Sequence, residues 1–174
     1  MKKNQNRTKR VALLGLLASI ALLLSYVEFL LPPLFVAVPG IKIGLPNVAI
    51  IFTLYCLGFR RAVVVSFVRL LISALLFGNV MTLAYSVAGA VLSLLVMGLL
   101  RKKELLSPVG VSIAGGICHN IGQILVAVVL LDTPQIAYYL LILTVTGTVS
   151  GVLVGLCGSF LIKRFPKNNF FNEN

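Results

Sequence analysis

Charged residues, prolines and glycines divide the chain into six apolar runs, and this division limits what the chain can fold into. The runs fall at about 11–31, 43–59, 62–77, 81–100, 108–131 and 136–162. Most of them approach the roughly 20 residues that a helix needs to cross a bilayer. Only 11% of the residues are charged, whereas a soluble domain has about a quarter. An ordinary soluble fold is therefore excluded.

The runs also indicate which kind of secondary structure crosses the membrane. Only helices and closed barrels satisfy their backbone hydrogen bonds in lipid, and these runs lack the alternation of barrel strands. The sequence predicts an all-α, polytopic membrane protein with six transmembrane helices. We expect a basic cytoplasmic tail over 1–10, a six-helix membrane domain over 11–164 and a polar cytoplasmic tail over 165–174.

The fifteen basic residues give a formal net charge of +11, but they are not gathered on one solvated face. They cluster before the first run, between the second and third, between the fourth and fifth, and after the last. In a six-span protein these positions share one side, so the positive-inside rule places both termini in the cytoplasm. We expect a multi-pass protein of a prokaryotic plasma membrane that is embedded in the lipid bilayer and does not bind nucleic acid.

The scarcity of acidic residues limits the chemistry that the chain can perform. Its only acids are Glu28, Glu104, Asp132 and Glu173, so there is no acid-rich cluster for magnesium and a diphosphate. There is no GxxxxGK[ST] segment for an ATPase, and the single histidine and three cysteines lack metal-site spacing. We therefore expect no enzyme activity, no cofactor and no metal site.

Polar residues at membrane depth are costly and are candidates for function. Arg69 lies in the middle of the third run, with Ser66 and Ser73 on the same helical face. Two interpretations stay open for it: an ion pair with Glu28, the only acid within an apolar run, or contact with a ligand. His119 is likewise either a hydrogen-bonded bundle residue or a ligand contact.

Eight polar residues fall from mid-depth outward in the predicted topology, which predicts a substrate-binding pocket open to the outer face. They are Glu28, Lys42, Asn47, Arg69, Asn79, His119, Asn120 and Gln123. Asn47 could instead cap a helix, and Lys42 could extend towards the membrane surface. Lys42 and Arg69 would suit a small solute with an anionic group.

Small residues recur every fourth position in two of the predicted helices. The sets are Gly147, Gly151 and Gly155 in the sixth and Ala114, Cys118 and Gly122 in the fifth. Such stripes let helices approach closely. They serve either packing inside the bundle or docking to another membrane subunit.

Several segments together carry a family resemblance. They are PGIKIGLPN at 39–47, Arg69, LLFGN at 75–79, YSVAGA at 85–90, GVS at 110–112 and HNIGQ at 119–123. In this order they resemble the Gx transporter family, which is also catalogued as heptaprenyl diphosphate synthase component I.

That family is similar to the S components of energy-coupling-factor transporters, six-helix proteins that capture micronutrients at the outer face. The resemblance implies an S-component-like bundle that binds a small, anionic or partly aromatic solute. It also implies a membrane coupling subunit, which Gly15, Ser19 and Ala21 would contact, and partner ATPases. The alternative is a non-catalytic membrane component associated with a polyprenyl diphosphate synthase or with quinone biosynthesis.

Overall fold

The computed structural model describes residues 2–31 and 43–165, with the side chains of the first helix described from Thr8 onward. All regular secondary structure in these ranges is helical, which confirms the predicted all-α membrane bundle. The helices are α1 (Lys2–Leu30), α2 (Asn47–Leu57), α3 (Phe59–Phe77), α4 (Val80–Lys102), α5 (Pro108–Leu131) and α6 (Leu140–Arg164), with a short 3-10 helix (Pro134–Tyr139) before α6.

The structure supports four of the six predicted membrane spans, in α1, α4, α5 and the segment that ends with α6. The predicted second span is wrong in length, because the chain turns at Gly44–Pro46 and helix α2 then has only 11 residues. At 1.5 Å per residue it is about 16 Å long, roughly half the hydrocarbon thickness. Helix α3 has 19 residues, but Arg60, Arg61 and Arg69 make it too charged to count as a span by composition.

Helix α2 is short but almost wholly buried, since eight of its eleven residues lie in the interior. It packs against α1, α3 and α6. Around the rest of the bundle, α1 contacts α3, α3 contacts α4, α4 contacts α5 and α5 contacts α6. Helix α2 lies between α6 and α1 and completes the ring. Neighbouring helices thus shield α2 from lipid.

Close approach of backbones joins α5 to α6. A Cβ atom added at Gly151 would lie 2.6 Å from the Ile113 Cα, and one added at Gly147 would lie 3.1 Å from the Gly116 carbonyl carbon. We call this contact, formed by Gly116, Gly147, Gly151 and Gly155, the glycine seam. The glycine stripe of α6 therefore packs inside the bundle, as the first of the two interpretations predicted.

The predicted stripe on α5 is only partly right. Gly122 packs on α4, where a Cβ would lie 2.7 Å from the Ala88 carbonyl oxygen. The α5 glycine that meets α6 is Gly116, because α5 packs between two helices and presents a different face to each. Ala114 and Cys118 are only partly buried.

Two contacts bring the basic clusters to one end of the bundle. The Arg101 guanidinium at the end of α4 donates to the Tyr55 carbonyl oxygen near the end of α2, and the Cys56 thiol donates to the Phe165 carbonyl oxygen beyond α6. We call this the basic end, and the opposite one the pocket end. Helix α1 continues through the predicted tail from Lys2, so no break in the helix marks residue 10.

Candidate functional site

The pocket end encloses a cavity of about 490 Å³, to which all six helices contribute. This volume lies within the range of small-molecule sites, about 300–1,000 Å³. Seven of the eight predicted site residues line it: Glu28, Asn47, Arg69, Asn79, His119, Asn120 and Gln123. Lys42 lies outside the described residues. The sequence pattern thus located residues that the fold brings together; their binding of a solute stays a prediction.

Arg69 and Ser73 supply donors that have no partner within the described chain. The Arg69 Nε and the Ser73 Oγ are both buried, and neither makes a hydrogen bond with any described residue. The two residues are four apart on α3 and therefore lie one above the other on the same face. A buried donor without a partner costs about 1–3 kcal/mol, so both atoms favour a ligand that accepts hydrogen bonds.

Glu28 ties the end of α1 to the turn before α2. Its carboxylate accepts a hydrogen bond from the Gly44 backbone N–H, and Gly44 has the positive φ of 78° that glycine adopts without strain. Glu28 and Arg69 both line the cavity; their ion pair stays a prediction, as does the contact of Arg69 with a ligand.

Two asparagines of the cavity differ in their local roles. The Asn79 side chain accepts from the Thr82 N–H at 2.8 Å, while the Asn79 N–H donates to the Thr82 hydroxyl at 3.0 Å, a capping box that begins α4. Asn47 makes no such cap, because Pro46 occupies the capping position of α2. The capping alternative for Asn47 is therefore wrong, and its amide lies over Gly44 instead.

Helix α5 places three predicted residues against two different neighbours. The Asn120 amide donates to the Leu143 carbonyl oxygen on α6. The His119 ring and the Gln123 side chain both pack against Gly89 of α4, each 3.0 Å from a Cβ added there. Asn120 therefore joins the cavity to the glycine seam, whereas His119 and Gln123 form the wall towards α4.

The structure adds lining residues that the sequence reasoning missed. Phe29 and Phe77 both line the cavity, with ring centroids 5.1 Å apart. Thr82 and Ser86 continue the polar lining along α4. The spacing of Asn79, Thr82 and Ser86, three and then four residues, is that of one helical face and would have revealed them. The aromatic rings carried no such signal in a chain so rich in apolar residues.

Comparison with family models gives one decisive result. The model described as heptaprenyl diphosphate synthase component I matches residues 17–161, which is most of the chain. The chain belongs to the heptaprenyl diphosphate synthase component I family. The match confirms the resemblance drawn from the motifs. Neither the curated proteins nor the solved structures gave a match.

In this family member, the three residues predicted to contact a coupling subunit do not share a surface. Gly15 and Ser19 lie on an exposed face of α1, with open space where a Gly15 side chain would be. Ala21 is fully buried in the core with Leu17, because it lies on the opposite side of the helix. Gly15 and Ser19 stay candidates for a partner contact, and Ala21 does not reach the surface of this bundle.

Proposed function

We propose that the protein is a membrane-embedded solute-binding component of a transporter. The observation that carries this proposal is a pair of buried donors, the Arg69 Nε and the Ser73 Oγ, that have no partner among residues 2–31 and 43–165. Polar groups without partners are rare in protein interiors, and a ligand that completes them is a physical reason for their presence. The cavity around them has room for a small molecule.

The lining favours a solute with one anionic group and an apolar or aromatic part. A carboxylate or phosphate oxygen would accept from the Arg69 Nε and the Ser73 hydroxyl, while Phe29 and Phe77 provide apolar surface beside them. Glu28 balances the charge of Arg69 among the described lining residues. Hydrogen bonds from Arg69 and Ser73, and not a net positive charge of the lining, would therefore hold one anionic group, and a polyanion is disfavoured.

A transport role would also require partner subunits. The sequence has no nucleotide-binding segment, so energy would come from separate ATPases through a membrane coupling subunit. The exposed face around Gly15 and Ser19 is a surface on which such a subunit could pack. We place both termini in the cytoplasm, with the cavity facing outward, and assign the chain no enzyme activity.

The test is the small-molecule content of purified protein. Wild type, Arg69→Gln and Arg60→Gln would be purified in parallel and their bound molecules identified by mass spectrometry. Arg60 is a matched control, because it is an exposed arginine on the same helix and does not line the cavity.

We expect wild type and Arg60→Gln to retain the same small anion and Arg69→Gln to lose at least about 90% of it. Such a loss corresponds to one charged hydrogen bond of about 1.5–3 kcal/mol. Equal retention by all three proteins, or retention by none, would contradict the proposal.

The family description favours a second candidate. A protein named as component I of a synthase implies at least one further component, so the chain could be a non-catalytic membrane partner of a polyprenyl diphosphate synthase. Affinity purification from detergent extracts separates the two candidates. Recovery of a coupling subunit and ATPases supports transport, whereas recovery of a prenyl synthase alone supports the second candidate.

A further inference from the structure

The basic end carries a second cavity of about 830 Å³ that the proposed transport function does not use. It lies between the ends of α2 and α4, the beginning of α3 and the loop that follows α4. We call it the basic-end groove. Its lining residues are Tyr55, Phe59, Leu95, Gly98, Leu99, Arg101, Lys102, Glu104 and Leu106.

The walls of the basic-end groove are apolar and face outward. Leu95 and Leu99 are 51% and 59% exposed and lie four residues apart on a membrane-spanning helix. Leu95 is about 9 Å along the axis from Arg101. The Phe59 ring packs directly on Gly98, where any side chain would collide with it. The groove therefore runs from apolar walls within the membrane to polar residues at its surface.

Two basic residues form the polar end of the groove, and their surroundings differ. Arg101 is held in place: its guanidinium donates to the Tyr55 carbonyl oxygen at 3.2 Å and lies 5.5 Å from the centroid of the Tyr55 ring. Lys102 is exposed on the same turn. Glu104 also lines the groove, so its charged residues carry one net positive charge.

We infer that the basic-end groove binds one anionic glycerophospholipid of the surrounding leaflet. Acyl chains would lie along Leu95 and Leu99, and the phosphate would lie between Arg101 and Lys102. Basic pockets between helices at the cytoplasmic surface are known to bind such headgroups. The single net positive charge matches a singly charged headgroup such as phosphatidylglycerol. Glu104 would repel the additional charge of a prenyl diphosphate.

A titration of the full-length protein tests this inference. The protein would be held in a neutral detergent and titrated with dioctanoyl phosphatidylglycerol, with binding followed by native mass spectrometry. Dioctanoyl phosphatidylcholine is the neutral-headgroup comparison, and farnesyl diphosphate and inorganic diphosphate are the other arms. Lys102→Glu replaces the exposed cation of the groove with an anion. Lys163→Glu, at the same end but outside the groove, is its matched control.

We expect phosphatidylglycerol to bind at least about tenfold more tightly than phosphatidylcholine, and Lys102→Glu to reduce its affinity by about tenfold. Lys163→Glu should leave the affinity unchanged. A second pair tests the walls: Leu99→Gln should weaken binding, whereas Leu153→Gln should not, although Leu153 on α6 is 52% exposed and Leu99 59%.

Three results would overturn the inference. Equal losses in Lys102→Glu and Lys163→Glu would show general attraction to a basic surface. Tighter binding of farnesyl diphosphate than of phosphatidylglycerol would assign the groove to a prenyl diphosphate instead. Binding of inorganic diphosphate alone would show that the apolar walls contribute nothing.

Discussion

The cavity and the glycine seam meet at Asn120, yet they satisfy polar groups in opposite ways. Along the seam, the glycines of α5 and α6 bring the two backbones together, and the Asn120 amide donates to a carbonyl oxygen of the facing helix. In the cavity, the Arg69 Nε and the Ser73 Oγ have no partner within the described chain. Both regions lie in the same bundle and share helices α5 and α6.

The difference shows what helix spacing does to a polar side chain in a membrane. Where glycines let helices touch, a short amide reaches the backbone across the interface. At the cavity the helices are farther apart, and two buried donors, the Arg69 Nε and the Ser73 Oγ, make no hydrogen bond within the described chain. We therefore expect substitutions in the seam to change the free energy of unfolding, and substitutions in the cavity to change solute binding.

The largest effect is expected from Gly151→Leu in the seam. The new side chain would collide with the backbone of α5, since even a Cβ would lie 2.6 Å from the Ile113 Cα. We expect a loss of about 3 kcal/mol or more in the free energy of unfolding, the upper end of overpacking costs. Gly15→Leu is the control, because that site has open space. Thermal unfolding in detergent measures both; equal stability of the two variants would contradict the packing of α5 on α6.

A smaller effect is expected from Asn120→Ala. Loss of its bond to the Leu143 carbonyl oxygen should destabilise the bundle by about 1 kcal/mol. Because this carbonyl also accepts from the Thr146 hydroxyl at 3.1 Å, it is not left unpaired. Retention of a co-purified solute should fall less than threefold. Gln123→Ala, which removes a side chain that packs on α4, is the matched control for stability.

The result for Asn120 decides which of the two regions this residue serves. A large loss of bound solute with unchanged unfolding would assign Asn120 to the cavity and not to the seam. Parallel losses in Asn120→Ala and Gln123→Ala would show that the interhelical bond contributes nothing of its own.

The sequence located the helices well because apolar length and charge clusters act locally along the chain. The predicted runs at 81–100 and 108–131 lie within or coincide with α4 and α5. The predicted second span is too long, because the residues of the turn at Gly44–Pro46 are apolar enough to be included in a helix. Neighbouring helices bury α2, so it does not need the length of a membrane span. This burial depends on the assembled bundle and is not visible in the sequence.

The candidate site was predictable in part for a related reason. Polar residues within apolar runs or at their ends are uncommon in a chain like this, so seven of the eight predicted residues could be found one by one. Their partners could not, since the bond from Asn120 to Leu143 spans 23 residues and depends on how α5 packs on α6. Ala21 was assigned to a partner surface because its small size does not reveal which side of α1 faces the core.

Asn79→Ala tests whether the edge of the cavity has a structural role of its own. The Asn79 side chain caps α4 through the Thr82 N–H, so its removal should cost about 1 kcal/mol. Asn79→Asp keeps a capping oxygen and should recover most of this stability. Thermal unfolding in detergent of the three proteins is the measurement. If the aspartate variant is as unstable as the alanine variant, the amide of Asn79 acts through something other than the cap.

Ser73→Ala is expected to cause no loss of stability and therefore separates the two regions most sharply. The Ser73 hydroxyl is buried without a partner among the described residues, so its removal takes away an unsatisfied group and no hydrogen bond. The free energy of unfolding of solute-free protein should rise by about 1–3 kcal/mol, the cost of a buried donor without a partner. Retention of the co-purified anion should fall at least about tenfold, because a hydrogen bond to a charged group contributes about 1.5–3 kcal/mol. Ser25→Ala is the control, since the Ser25 hydroxyl also lines the cavity but already donates to the Ala21 carbonyl oxygen at 2.9 Å. A marked destabilisation by Ser73→Ala with no change in retention would mean that the hydroxyl serves the packing of α3, and the contrast between cavity and seam would not hold at this residue.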